Sequence, residues 1–279
     1  MLGSDVERVL ADSEAPFVAT DQEVDITDKE SVERFTRGKE IGWIINCAAY
    51  TDVDGAEREQ DRAFSVNTHG ACNIAAEAKK IGARVIHIST DYVFDGTKGD
   101  AYTEEDAPNP LGIYGKSKLE GENCIRDTIE EFYILRTSWL YGRNGTNFVL
   151  TMLRLFKERN SVEVVADQYG SPTWTLDLAR VIMNVIGNEN RRYGVYHYSG
   201  EGRTTWYGFA CEILGQAGEL GMIEKDIIIS PVKTLKYRKE AKRPKYSYLS
   251  KAKIRSEFDV KVPDWEDSLK RFLGEMKKR

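Results

Sequence analysis

Short apolar runs alternate with amphipathic stretches through the first half of the chain. Phe17-Val18-Ala19-Thr20, Trp43-Ile44-Ile45-Asn46-Cys47, Val85-Ile86-His87-Ile88-Ser89 and Phe132-Tyr133-Ile134-Leu135-Arg136 are brief, rich in aromatic and branched residues, and bounded by polar or turn residues. Such runs read as strands buried on both faces, the pattern of a parallel sheet. Helical patterns separate them. One begins near Val6; a second runs from Asp28, a plausible N-cap, to about Arg37; a third spans Phe64 to Lys80. A fourth follows the irregular segment around Pro108 and Pro110 and carries Tyr114 on to about Arg126. Strand and helix in alternation predict an α/β fold with a Rossmann-type, doubly wound parallel sheet.

The alternation weakens after Asn147. Phe148 to Arg159 reads as an amphipathic helix and Val162-Glu163-Val164-Val165 as a strand. Gly170 to Thr173 is a turn, and Leu176 to Ile186 another helix. The expected organisation is a dinucleotide-binding domain over residues 1–148 and a smaller C-terminal substrate-binding lobe over 149–279. Residues 172–190 return to the first domain, while Tyr193 to Tyr198, the helix at Trp206 and the Arg243 region join the lobe. No repeat or low-complexity linker separates the two.

Composition narrows the functions. The 279 residues carry 40 Lys+Arg against 45 Asp+Glu, a net charge of −5, with no basic block to favour nucleic acid. Cys47, Cys72, Cys124 and Cys211 are scattered without a C-x-x-C pair, so reduced, buried thiols and no metal site are expected. His69, His87 and His197 are the whole histidine complement, which leaves little material for a histidine-based triad or metal centre. No long apolar run suggests a membrane span, and a cytoplasmic protein is the expectation.

The chemistry-bearing residues cluster around Tyr114. Tyr114 and Lys118 are four apart and so share one helix face. A free phenol with a pKa near 10 is a poor proton donor at neutral pH, and a neighbouring cation would favour its phenolate. Thr90, at the end of the run Val85 to Ser89, adds a hydroxyl. The three together can protonate a carbonyl oxygen while hydride arrives from a cofactor. Trp139 follows the run Phe132 to Arg136, at the strand end where open α/β sheets place ligands, and offers a flat apolar wall.

These residues sit within a longer ordered series that resembles the extended short-chain dehydrogenase/reductase family. The series runs through Asp25-Ile26-Thr27-Asp28, Asn46-Cys47-Ala48-Ala49-Tyr50-Thr51-Asp52-Val53-Asp54, Asn67 and Ser89-Thr90-Asp91-Tyr92-Val93-Phe94-Asp95-Gly96. It continues through Tyr114 and Lys118, Arg136-Thr137-Ser138-Trp139-Leu140-Tyr141-Gly142, Asp167-Gln168-Tyr169-Gly170-Ser171-Pro172-Thr173 and Arg243-Pro244. The resemblance implies reduction of a 4-keto nucleotide sugar with NADPH or NADH. Tyr114, Lys118 and Thr90 would be catalytic. Gly3, Asp21, Asp25, Ile26, Ala48, Ala49, Tyr50, Thr51, Asn67, Tyr114 and Lys118 would hold the cofactor; Thr90, Asp91, Tyr92, Trp139 and Arg243 would hold the substrate. A homodimer is a possible assembly. Two alternatives stay open: an epimerase or dehydratase on nucleotide sugars, and a non-catalytic regulator like the beta subunit of methionine adenosyltransferase. Asp91 beside Tyr92 supplies one carboxylate without the Asp-Glu pair of dehydratases, which favours simple reduction.

One expected part is not seen. A Rossmann unit opens with an apolar strand and a glycine-rich turn at the cofactor diphosphate. Here Met1-Leu2-Gly3 leads straight into the first helix, and Gly3 matches only the last glycine of the family's G-x-x-G-x-x-G. Our reading is that about ten residues of this unit are absent. Weak stability and weak dinucleotide binding are the expected consequences.

Overall fold

The computed structural model describes residues 1–279 apart from 14, 189, 238, 239 and 279. The chain opens with α1 (Leu2–Ala11), α2 (Lys29–Thr36), β1 (Trp43–Asn46), α3 (Val53–Arg58) and α4 (Gln60–Phe64). A π-helical turn (Ser65–His69) leads into α5 (Gly70–Ile81), β2 (Arg84–Thr90), α6 (Ile113–Thr128) and β3 (Phe132–Thr137). Next come β4 (Leu140–Tyr141), α7 (Phe148–Glu158), β5 (Ser161–Val165), β6 (Tyr169–Gly170), β7 (Thr173–Trp174) and α8 (Thr175–Gly187). The remainder is β8 (Gly194–His197), β9 (Thr204–Thr205), α9 (Trp206–Glu219), β10 (Ile228–Val232), α10 (Ala252–Phe258) and α11 (Trp265–Lys277). None of these helices is long and apolar enough to cross a membrane.

β1, β2, β3 and β8 form one parallel sheet in that order. Successive side chains of a strand point to opposite faces, and the core divides accordingly. Val85 and Ile134 pack with Val32 of α2, Ala71, Ile74 and Ala75 of α5, and Ile125 of α6. Ile86, Tyr133, Leu135 and Tyr196 face the other way, against Leu2 and Val6 of α1, Leu178 and Ile182 of α8, and Ile254 and Phe258 of α10. Each such side chain contributes about 1.5–3 kcal/mol by leaving water. A separate core joins α7, α9 and α11 around Phe156, Phe209, Ile213, Leu269 and Phe272. Strands β5 and β10 pair in parallel along its edge.

The helix that carries Tyr114 is capped from outside. The side chain of its own N-cap residue is absent, since that residue is Gly112; Glu57 of α3 accepts the Ile113 N–H at 2.8 Å instead. A carboxylate there satisfies an otherwise orphan donor and suits the positive end of the helix dipole. Beneath the same helix, Glu122 and Arg136 form a fully buried ion pair. Arg136 donates through Nη2 at 2.7 Å and Nε at 3.0 Å, and Ser89 Oγ donates to Glu122 Oε1 at 2.5 Å.

The structure corrects four expectations. Phe17-Val18-Ala19-Thr20 is not a strand: these residues have no regular structure, and Phe17 and Val18 are exposed. No described strand runs beside them or along the outer edge of β1, so they have no ladder to join. The single helix expected from Phe64 to Lys80 is divided by the π-turn, an arrangement frequent at functional positions. Tyr193 to Tyr198 do not join the lobe; β8 pairs with β3 in the central sheet. Cys72 and Cys124 are joined as a disulfide because α5 and α6 pack side by side, with the two Cα atoms 5.5 Å apart. Cys47 and Cys211 are free thiols.

Replacing Glu122 by Ala would leave a buried guanidinium without its partner. We expect it to lower the unfolding free energy by about 3–5 kcal/mol, read as an earlier midpoint in urea. Substituting Arg136 by Met in the same chain should restore part of that loss, and its failure to do so would count against the pair as the cause.

Candidate active site

Several sequence-predicted residues converge where β1, β2 and β3 end. Thr90 closes β2. Its hydroxyl donates to Asp91 Oδ1 and accepts the Tyr92 N–H, both at 3.1 Å. Tyr114 stands at the start of α6, edge-on to the Tyr92 ring with centroids 5.6 Å apart. Gly115 permits that approach, because a Cβ at this position would collide with the Tyr92 carbonyl and press on Pro110. Burial pushes the Tyr114 phenol up to about 12, the neighbouring Asp91 adds to the shift, and the Thr90 hydroxyl opposes it by stabilising the phenolate. Burial likewise raises Asp91 to about 7, and its Oδ2 is buried without a hydrogen-bond partner.

Lys118 departs from the expected arrangement. It is buried on the same helix, yet its Nζ donates to the Ile88 carbonyl at 2.6 Å and lies 3.1 Å from His87 Nε2, with no contact to the phenol. Burial lowers its pKa to about 8, partly offset by Glu122. An amine four residues from a phenol shares its helix face, but rotation of a four-carbon stem decides where the nitrogen goes. Here the buried Ile88 carbonyl and the His87 ring hold it. The hydroxyl of Thr90, rather than Lys118, is the group that favours the phenolate.

On the β1 side, Asn67 occupies the π-turn and clamps Tyr50. Its Oδ1 accepts the Tyr50 N–H at 2.9 Å, and its Nδ2 donates to the Tyr50 carbonyl at 3.1 Å and to Ser117 Oγ at 3.0 Å. The small residues Ala48 and Ala49 precede Tyr50, with Thr51 exposed after it. Gly3 lies within α1, where a Cβ would stand 3.7 Å from that of Cys47. The remaining candidates are dispersed. Asp21 is exposed, Asp25 accepts from both the Thr27 N–H and hydroxyl, and Ile26 packs against Gly70.

An aromatic pair follows the end of β3. Trp139 adopts a left-handed backbone, φ 47°, unusual for a bulky residue and costing of order 1–3 kcal/mol. It is held there by Trp206, stacked 3.6 Å away at 8°, and by Gly170, whose missing Cβ would stand 2.6 Å from the indole. Arg243 reaches over from the segment before α10. Asp54 grips it through two bonds, Nη2–Oδ2 at 2.8 Å and Nη1–Oδ1 at 3.1 Å, and the Tyr92 side chain acts on the same guanidinium.

Sequence reading overlooked Asp54, Trp206, Glu57 and the Asn46–His87 pair as parts of this site. Asp54 lay inside the matched run Asn46 to Asp54 without a role. Trp206 was read only as the start of a helix, although a large aromatic at a helix N-terminus after two threonines is a usable signal. The others act through contacts with residues 41 to 56 positions distant, which local pattern does not carry.

Comparison with known proteins identifies the family. The family model described as RmlD substrate binding domain matches residues 1–278. The dTDP-4-dehydrorhamnose reductase of Aggregatibacter actinomycetemcomitans is 41% identical over 275 residues, covering 96% of this chain and 94% of that one. The crystal structure of dTDP-4-dehydrorhamnose reductase from Bacillus anthracis, in complex with NADP, superposes with a TM-score of 0.93 at 40% identity, covering 98% of this chain and 95% of that one. A dTDP-4-dehydrorhamnose reductase from Clostridium acetobutylicum superposes with a TM-score of 0.92 at 40% identity, covering 99% and 96%. The chain therefore belongs to the RmlD substrate binding domain family, that of the dTDP-4-dehydrorhamnose reductases.

Proposed function

We propose that this protein reduces dTDP-4-dehydro-6-deoxy-L-mannose to dTDP-L-rhamnose, using NADPH or NADH, at the cleft between Tyr114 and Trp139. The observation that carries this reading is the phenol of Tyr114 beside the hydroxyl of Thr90 at the sheet's C-terminal end. When bound, the dinucleotide supplies the hydride to C4 of the sugar. Ala48, Ala49, the Tyr50 backbone fixed by Asn67, and Lys118 would hold its nicotinamide end. At the adenosine end Asp21 is exposed and Asp25 is occupied by Thr27, so neither enters the chemistry below.

A phenol pushed up to about 12 holds its proton throughout the neutral range, so the proton to be transferred is present. Tyr114 gives that proton to the oxygen developing at C4, and the Thr90 hydroxyl, turning from Asp91 Oδ1, would donate to the phenolate left behind. Asp91, beside Thr90, and Tyr92, beside Tyr114, would offer polar atoms to the sugar hydroxyls. The indole of Trp139 presents an apolar face to the deoxysugar ring, and Trp206 holds it from behind. Arg243, aimed by Asp54, is the cation for the nucleotide diphosphate.

Two variants test these roles. Tyr114→Phe removes the proton and leaves the ring. We expect kcat, followed by loss of NADPH absorbance with the 4-keto sugar nucleotide, to fall by about 10²–10⁴-fold. Calorimetric affinity for dTDP-L-rhamnose should change little; a variant that keeps most of its kcat would remove Tyr114 from this role. Trp139→Ala should raise KM by roughly tenfold, equivalent to about 1.4 kcal/mol, with a smaller change in kcat. An unaltered KM would place the sugar elsewhere.

A further inference from the structure

Tyr114 is the second residue of α6, and that helix begins without an anchor of its own. Gly112 at the N-cap has no side chain to offer, and the first turn holds no acidic residue. Helix ends fray where their first N–H groups lack partners. Fraying at this end acts on Tyr114 directly, because only Ile113 precedes it in the helix.

The anchor comes from α3. Glu57 Oε1 accepts the Ile113 N–H at 2.8 Å. Gly112 makes room for that oxygen: a Cβ there would stand 2.6 Å from Glu57 Oε1, while the next nearest atoms outside its chain neighbours are 3.8 Å away. α3 is itself well fixed. Asp52 Oδ1 accepts the Gly55 N–H at 2.9 Å, Ala56 is fully buried, and Arg58 pairs with Glu240 at 2.6 Å.

Asp54 and Glu57 are three apart and share a face of α3. Asp54 grips Arg243 and accepts the Ala241 N–H at 3.2 Å, whereas Glu57 reaches α6. One short helix therefore supports the cation for the diphosphate and the proton donor through two different carboxylates.

We propose that Glu57 is a positioning residue that places Tyr114 for proton transfer by holding the first turn of α6. This inference rests on the reading of Tyr114 as the proton donor. Glu57 binds backbone one residue before the phenol, so its loss acts on kcat and leaves the hold on the nucleotide in place. The role needs an oxygen acceptor at this spot, which the side-chain amide of glutamine also provides. Misplacing a reacting group by about 1 Å can lower a rate about 10²-fold.

Gly112→Ala tests this without removing the carboxylate. Its methyl group meets only the mobile end of the Glu57 side chain, and the φ of −132° suits any residue. We expect Gly112→Ala and Glu57→Ala each to lower kcat by about 10–10²-fold, with KM for the 4-keto sugar nucleotide changed by less than about twofold. Glu57→Gln should keep kcat near the wild-type value. A cap that serves stability alone would lower the melting temperature and leave kcat intact, and that result overturns the proposal. Should Glu57→Ala not fold, Gly112→Ala decides.

Two further readouts separate positioning from general damage. Amide hydrogen exchange at residues 113–115, measured without substrate, should quicken about tenfold in Gly112→Ala and recover in Glu57→Gln; unchanged exchange counts against the role. In a Tyr114→Phe background, Glu57→Ala should lower kcat no further, and an undiminished loss there would show that Glu57 acts through another group. Full kcat in Tyr114→Phe alone would sink the reductive reading and this proposal with it. Loss of activity in Tyr114→Phe beside full kcat in Gly112→Ala would sink only the role of Glu57.

Discussion

How α6 is seated against the sheet determines the shape of the cleft. Three contacts set that position along its length. Glu57 of α3 caps its first turn, Gly115 and Gly121 let it approach the Tyr92 and Asn67 carbonyls closely, and Glu122 pins it to Arg136 of β3. Each uses a residue type that would be unfavourable elsewhere. Glycine in a helix interior costs about 1 kcal/mol relative to alanine, and a buried ion pair recovers little against its desolvation. Their joint result is that Tyr114 stands beside Thr90 rather than a turn above it. The chemistry of the site is thus set by packing below the reacting groups as much as by those groups.

Much of the sheet was legible because buried strands and amphipathic helices have distinct periods. Val85, Ile86, Tyr133, Ile134 and Leu135 alternate between two cores as a doubly covered strand requires. Where the reading failed, the deciding information was not local. Phe17 to Thr20 has strand composition, but a strand forms only against a partner, and none of the described strands lies there. Gly194 to His197 followed a helix and could be assigned to either unit by pattern. Its hydrogen bonds with β3, about 60 positions earlier, settle its place in the sheet.

At the site, residue identity was more legible than residue geometry. Tyr114 stands beside Thr90 and Tyr92, as their spacing and strand-end position suggested. Lys118 shares their helix face, yet its amine turns downward to His87 and Ile88, because a buried carbonyl competes for it. The left-handed backbone of Trp139 had no sequence signal, since it is maintained by Trp206 and by the absence of a side chain at Gly170. Sequence spacing reports which side chains share a face; it does not report which partners lie across the gap.

The bond between Cys72 and Cys124 closes a span of 52 residues. One end is in the helix that follows Asn67, and the other in the helix that carries Tyr114. In the oxidised chain the wall that fixes the Tyr50 backbone and the wall that bears the proton donor cannot drift apart, even when the surrounding helices fray. A thiol-reducing milieu removes that restraint. The separation of those two walls then depends on noncovalent packing alone.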